Sequence, residues 1–187
     1  MGTKKQIADE GKKYSACIVA IVTMLIITFL LIFMILVITP TKAAGPCMYP
    51  TIPIISTVLV NKASYWFIDP QRGDIISFNV DALEQGVIKR IIGLPGETLE
   101  VKNCAVYIDG KQLKEPYICP DIYIPYGPIT IPPKCVFVMG DNRNNSSDSR
   151  DPIIGMVQIK NIEGKVLCSV RPKIKSLATT EIKPYND

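Results

Sequence analysis

In Val87-Ile88-Lys89-Arg90-Ile91-Ile92-Gly93-Leu94-Pro95-Gly96-Glu97, a run rich in β-branched residues stops at a Pro-Gly pair. Ile and Val fit a pleated, half-buried surface, so residues 86–92 read as a strand. Pro95 and Gly96 suit the second and third positions of a type II turn. Similar apolar segments recur on both sides. Residues 57–61, 74–80, 136–139, 156–160 and 165–170 are expected strands. Residues 98–102 and 105–108 are an expected hairpin closed through Asn103-Cys104 and followed by an Asp109-Gly110 turn. Pro116, Pro120, Pro125, Pro128, Pro132 and Pro133 punctuate residues 115–133, which are expected to run as an extended loop. Short strands between Gly/Pro turns make the expected class mainly β, an antiparallel sandwich or barrel.

The same strand carries the first candidate for chemistry. Side chains alternate faces along a strand, so Lys89 shares a face with Val87 and Ile91, while Ile88 and Arg90 point the other way. Desolvation of a lysine among Val and Ile disfavours its charged form and frees an amine to act as a general base. For this strand taken alone, a solvated lysine on an edge strand is the plainer alternative. The chain has no histidine, so a nucleophile cannot lean on imidazole, and lysine is the remaining common base. The candidate nucleophile is Cys47, in Gly45-Pro46-Cys47-Met48-Tyr49-Pro50-Thr51. Its plainer alternative is a small apolar residue or half a disulfide. The Cys47 backbone N–H is a candidate oxyanion donor.

Upstream, residues 16–39 contain no charge and consist mostly of Ile, Leu, Val, Met and Phe. About 20 apolar residues cross a bilayer as a helix. The run is longer than the apolar core of a cleaved signal peptide, about 7–15 residues, and lacks the polar face of a soluble helix. It is expected to be a retained transmembrane anchor. Lys4, Lys5, Lys12 and Lys13 precede it and only Lys42 follows closely. By the positive-inside rule the N-terminus stays in the cytoplasm, and the chain after residue 43 lies outside the plasma membrane. The net charge of +4 is dispersed, which argues against a nucleic-acid partner and suits membrane lipid. Of six cysteines, Cys17 lies in the span. Cys47, Cys104, Cys119, Cys135 and Cys168 follow it, an odd number that leaves at least one unpaired or bridging chains. With no CxxC pair and no histidine, neither a zinc site nor any other cofactor is expected. Tyr65-Trp66-Phe67-Ile68 reads either as a membrane-interface patch or as core.

Gly140-Asp141-Asn142-Arg143-Asn144-Asn145-Ser146-Ser147-Asp148-Ser149-Arg150 directly follows an apolar segment and alternates acids with arginines. Such a run is usually a surface loop, and its position also suits a hydrogen-bonded loop under an active site. Four segments follow the anchor in order. They are Cys47-Met48-Tyr49-Pro50-Thr51, Pro70-Gln71-Arg72-Gly73-Asp74-Ile75, the Lys89 strand with its turn, and this loop. Together they resemble the bacterial type I signal peptidases, a serine/lysine membrane protease family, in their small Gram-positive-like form. The resemblance runs from the anchor to about Val170.

It implies a signal-peptidase-like antiparallel β-sheet domain at 43–172. A cytoplasmic N-terminus at 1–15 and a transmembrane anchor at 16–39 precede it, and a polar tail at 173–187 follows. Cys47 falls at the family's nucleophilic serine, Lys89 at its general base and Ser146 at the serine that orients the lysine. Asp141, Arg143, Asp148 and Arg150 match structural positions of the last motif. Met48, Ile52, Val87 and Ile88 are implied near the pockets for small side chains. Gly45 matches a position that is Ser in some members and Gly in many Gram-positive ones. The implied activity is removal of signal peptides from secreted preproteins after Ala-x-Ala, with the substrate bound by strand addition. The departure is the nucleophile. Thiols are more acidic than alkylammonium ions by about two pKa units, so a Cys/Lys pair favours thiolate and ammonium. Thiolates also leave a tetrahedral intermediate more readily than amines, so cleavage requires prompt protonation of the amine. Two readings follow: a Cys/Lys peptidase, or an inactive relative that binds signal peptides or a membrane partner without cutting.

Overall fold

Gly2 to Val37 form one helix, α1, which no proline interrupts. The structure is a computed structural model that describes residues 2–80, 86–118, 124–172 and 174–177, with side chains from Tyr14 onward. Tyr14–Val37 spans 24 residues with a mean hydropathy of 3.1, and none of its most apolar stretch is buried by protein. At 1.5 Å per residue it is about 36 Å long, enough for a hydrocarbon core of about 30 Å. The Thr23 and Thr28 hydroxyls donate to Val19 O (2.6 Å) and Met24 O (2.8 Å). A helix facing lipid must satisfy its polar groups internally in this way. The expected span reached Thr39, but the helix stops at Val37 and Ile38 already begins a strand. Pro40 is the cause: it cannot continue a helix, and it pushes its predecessor toward extended backbone.

Residues from Thr39 form a second unit, mainly antiparallel β. Its strands are β1 (Ile38–Ala43), β2 (Ser56–Asn61), β3 (Ile75–Phe78), β4 (Val87–Gly93), β5 (Thr98–Lys102) and β6 (Ala105–Ile108). They continue with β7 (Lys111–Gln112), β8 (Tyr126–Thr130), β9 (Cys135–Met139), β10 (Val157–Gln158), β11 (Ile162–Arg171) and β12 (Lys175–Ser176). The larger sheet has the order β1-β2-β11-β3-β4-β9-β10, with β12 beside β11. The smaller has the order β7-β6-β5-β8. The Pro95-Gly96 turn and the Asn103-Cys104 hairpin form as expected. Gly96 has φ +86°, and Asn103 and Cys104 have φ 48° and 59°, as a two-residue type I′ turn requires.

β4 lies between β3 and β9 and is buried on both faces, so Lys89 is buried rather than solvated. Ile88 packs with Val58, Val60 and Ile75 on one side, and Ile91 with Ile76, Phe78 and Val138 on the other. Ile92, Phe137 and Met139 join Leu99, Val101 and Val106 between the two sheets. Each fully buried side chain of this kind contributes about 1.5–3 kcal/mol.

Two expectations need correction, and the open pairing of the cysteines is answered. Residues 115–133 are not wholly loop, because β8 lies within them and pairs with β5. As an edge strand it tolerates Pro128, whose missing N–H has no ladder to break. Gly127 makes the close approach possible: its φ is +83°, and a Cβ there would stand 2.6 Å from Leu99 O. Residues 119–123 of the same expected loop lie outside the described residues. The tail expected from residue 173 begins instead with β12, in register Cys168↔Ser176, followed by buried Leu177. Residues 178–187 lie outside the described residues. The cysteines available for two bridges do not form them. Cys104, Cys135 and Cys168 are free thiols, as are Cys17 and Cys47, while Cys119 lies outside the described residues. In the aromatic patch, Trp66, Phe67 and Ile68 are exposed. Tyr65 is half-buried and donates to Asp74 Oδ2 (2.9 Å). Burial, followed by the Asp74 carboxylate, pushes the Tyr65 phenol well above its usual range.

Candidate active site

Pro46 opens a 3₁₀ turn, Pro46–Met48, where its fixed φ suits the first position. Tyr49 N–H donates to Pro46 O (3.0 Å) and Ile52 N–H to Met48 O (2.8 Å). Met48 and Ile52, 2% and 1% exposed, sink into the core beside Ile88. That burial drives the turn and leaves Cys47 half-buried at its rim, with Sγ 3.9 Å from Ile88 O.

Lys89 is 4% exposed. Its direction follows from register. Arg90 pairs with Met139 across β4 and β9, and one further step brings Lys89 opposite Gly140. Residues opposite one another in a ladder point to the same face. A Cβ on Gly140 would stand 2.2 Å from Ser146 Oγ and 2.6 Å from Cys47 O. Ser146 Oγ and the cysteine turn therefore meet at Gly140, the residue after the Met139 that pairs with Arg90. Ser146 Oγ is buried and has no hydrogen-bond partner among the described residues.

Cys47, Met48, Ile52, Val87, Ile88 and Lys89 line one groove of about 450 Å³, completed by residues 42–45 and Gly86. Two backbone edges face it. β1 is the terminal strand of its sheet. The pairing of β4 with β9 begins only at Arg90, so Val87 and Ile88 pair with β3 alone. Gly45 contributes no side chain, and a Cβ there would lie 4.0 Å from Cys47 Sγ.

The 140–150 loop is held by three arginine–carboxylate pairs. Arg90, 2% exposed, donates to both Asp141 oxygens (2.8 and 2.7 Å) and to Gly73 O (2.9 Å). Arg150 pairs with Asp148 (2.8 Å) and donates to Arg143 O (2.8 Å). Arg143 pairs with Glu115 and donates from Nε to Gly140 O (3.0 Å). Asp148 Oδ2 accepts from Gly140 N–H (3.0 Å), so both peptide groups of Gly140 are fixed. Asn142 reaches back to the cysteine turn, with N–H to Cys47 O (2.9 Å) and Nδ2 to Pro46 O (3.3 Å).

Sequence reasoning missed the parts played by Arg90, Asn142 and Glu115. Arg90 was only assigned to the face opposite Lys89, and Glu115 sits in a proline-rich segment without periodicity. The partner of each comes from a distant strand or loop, which no local pattern encodes. Gly140 yields a direct test. Gly140→Ala has no room for its methyl, so it is expected to lose about 1–3 kcal/mol of stability from overpacking. Displacing the site by about 1 Å costs about a hundredfold in turnover. Urea unfolding and cleavage kinetics on the same sample check both effects.

A half-buried thiol and a buried lysine share a groove between two sheet edges, which is a scaffold suited to cutting an extended peptide. The model of the family described as "Signal peptidase, peptidase S26" matches residues 15–170. Signal peptidase I S of Bacillus subtilis is 36% identical over 172 residues, covering 86% of this chain and 87% of that protein. Signal peptidase I of Bacillus amyloliquefaciens is 38% identical over 135 residues, covering 67% of this chain and 69% of its own length. The crystal structure of a signal peptidase I from Enterococcus faecalis is 35% identical, with a TM-score of 0.46 over 52% of this chain and 97% of that one. The chain belongs to the signal peptidase S26 family and is a signal peptidase I-like peptidase. With α1 at its N-terminus, it is membrane-anchored.

Proposed function

We propose that this chain removes signal peptides from preproteins after Ala-x-Ala sites, with Cys47 as nucleophile and Lys89 as general base. The observation that carries this is the single groove lined by both residues and by Met48, Ile52, Val87 and Ile88. The peptide lies extended between residues 42–45 and the open side of Val87–Ile88, held by main-chain hydrogen bonds. The narrow apolar groove admits alanine. The Cys47 proton passes to the Lys89 amine, and the thiolate adds to the scissile carbonyl, to whose oxyanion the Cys47 N–H donates. The tetrahedral adduct collapses as Lys89 returns the proton to the departing amine. Lys89, again a neutral amine, takes a proton from water, hydroxide adds to the thioester, and the Cys47 thiolate leaves and recovers its proton from Lys89. Ser146 Oγ, buried and unpartnered, is the group that orients the Lys89 ammonium. Asp141, Arg143, Asp148 and Arg150 hold the loop that presents it.

The chain crosses the plasma membrane once, with its N-terminus in the cytoplasm and the β domain outside. Exposed Trp66, Phe67 and Ile68 meet membrane lipid. Nucleic acid is no partner. Cys47 at the family's serine favours a second reading, an inactive relative that binds signal peptides or a membrane partner without cutting. The buried Lys89 counts against it, since an inert chain has no need of a desolvated amine.

The full chain in detergent, mixed with a preprotein, is expected to release a product whose new N-terminus follows Ala-x-Ala. Iodoacetamide mapped to Cys47 by mass spectrometry should abolish that release. Cleavage that survives complete alkylation of Cys47 would remove the thiol from the chemistry.

A further inference from the structure

The segment after β7, residues 114–118, grips both arginines beside Gly140. Glu115 and Arg143 form an ion pair with side chains 3% and 0% exposed. Glu115 Oε2 takes the second guanidinium nitrogen (3.0 Å). Tyr117 donates its hydroxyl to Glu115 Oε1 (2.8 Å), and its ring covers the Arg90 guanidinium at 4.0 Å. Burial, followed by the Glu115 carboxylate, pushes the Tyr117 phenol well above its usual range, so it remains a donor.

We infer that Glu115 and Tyr117 are positioning residues for the Cys47 site, an inference that rests on the peptidase reading above. The path is short. Glu115 fixes the Arg143 guanidinium, Arg143 Nε holds Gly140 O, and Gly140 is wedged between Ser146 Oγ and Cys47 O. Tyr117 works on the other flank, through Arg90 to Asp141, the residue after Gly140. Without the carboxylate, the Arg143 guanidinium loses the two hydrogen bonds that Glu115 accepts from it in a buried site. Its position is no longer fixed by that pair, and the hold of its Nε on the Gly140 carbonyl loosens. The Gly140 peptide then shifts against the cysteine turn and Ser146. Neither Glu115 nor Tyr117 lines the groove, so substrate contacts stay as they are while the reacting groups lose alignment.

The test compares the full chain in detergent with Glu115→Gln, Tyr117→Ala and Val157→Ala. The last opens the core cluster of Ile76, Phe78 and Val138, to which Tyr117 does not belong. Glu115→Gln is expected to lower kcat on a preprotein about tenfold with KM within about twofold. It should also slow iodoacetamide alkylation of Cys47, read by peptide mapping, about fivefold. Tyr117→Ala, which keeps the Glu115–Arg143 pair, should slow alkylation in the same direction even if Glu115→Gln fails to fold. Val157→Ala should lower Tm and leave the alkylation rate unchanged. Wild-type alkylation rates in the folded variants at 115 and 117 overturn the inference. So does equal slowing in Val157→Ala at the same loss of Tm. If no variant nor the wild type cuts any preprotein while alkylation follows this pattern, the peptidase reading falls and the positioning role stands. If cutting is normal and alkylation does not change, the reverse holds.

Discussion

Lys89→Met is expected to lower kcat/KM on a preprotein by about 10²–10⁴-fold, the range set by losing a general acid–base group. The same variant should fold as well as the wild type or better. Lys89 is 4% exposed in a strand flanked by Ile and Val. No ion pair among the described residues involves it. Methionine fills a similar volume without a polar group to bury, and burying a polar group is costly unless it is well hydrogen-bonded. Function and stability therefore move apart at this position. Cleavage kinetics beside thermal unfolding measure both. A variant that retained more than about a tenth of wild-type turnover would take Lys89 out of the mechanism.

Asp141→Ala is expected to cost about 3–5 kcal/mol of stability, because it leaves Arg90 buried without its carboxylate. Asp141 is fully buried and receives two hydrogen bonds from a guanidinium that is 2% exposed. The remaining acceptor, Gly73 O, takes one donor, and the Tyr117 ring covers the guanidinium. At 2% exposure the guanidinium has little water to replace the lost carboxylate. Arg90→Met combined with Asp141→Leu should recover most of the loss, since an apolar pair needs no partner. Urea unfolding of the two variants decides the matter. A single-variant loss below about 1 kcal/mol would mean that the pair behaves as a surface ion pair.

Much of this molecule was legible where the signal is local. The strand from Val87 to Gly93 ends at a Pro-Gly turn, and the hairpin closes through two residues at positive φ. Both depend on neighbours in sequence. The helix end is local too, but Pro40 acted two residues earlier than hydropathy alone suggested. β8 was hidden because its prolines argue against a strand, and only its place at a sheet edge excuses Pro128. Leu177 and β12 were hidden for another reason: a two-residue strand is too short to show periodicity, although its partner in β11 lies close behind it in sequence. At the site, Cys47, Lys89 and the 140–150 loop could be picked out as residue types in an order. Their meeting depends on the β4–β9 register and on Gly140 being without a side chain. The clamp by Glu115 and Tyr117 left no sequence signal, since an isolated acid and an isolated tyrosine near prolines look like loop.

The most direct measurement is a paired cleavage assay of the wild type and Cys47→Ser, purified as the full chain in detergent, on several preproteins. The account predicts that both cut at the same bond, the wild type losing activity to iodoacetamide and the serine variant not. Cleavage by Cys47→Ser alone would contradict the thiol chemistry and favour a binding role for the natural chain. If both proteins leave every preprotein intact, the peptidase mechanism built on Cys47 and Lys89 is wrong.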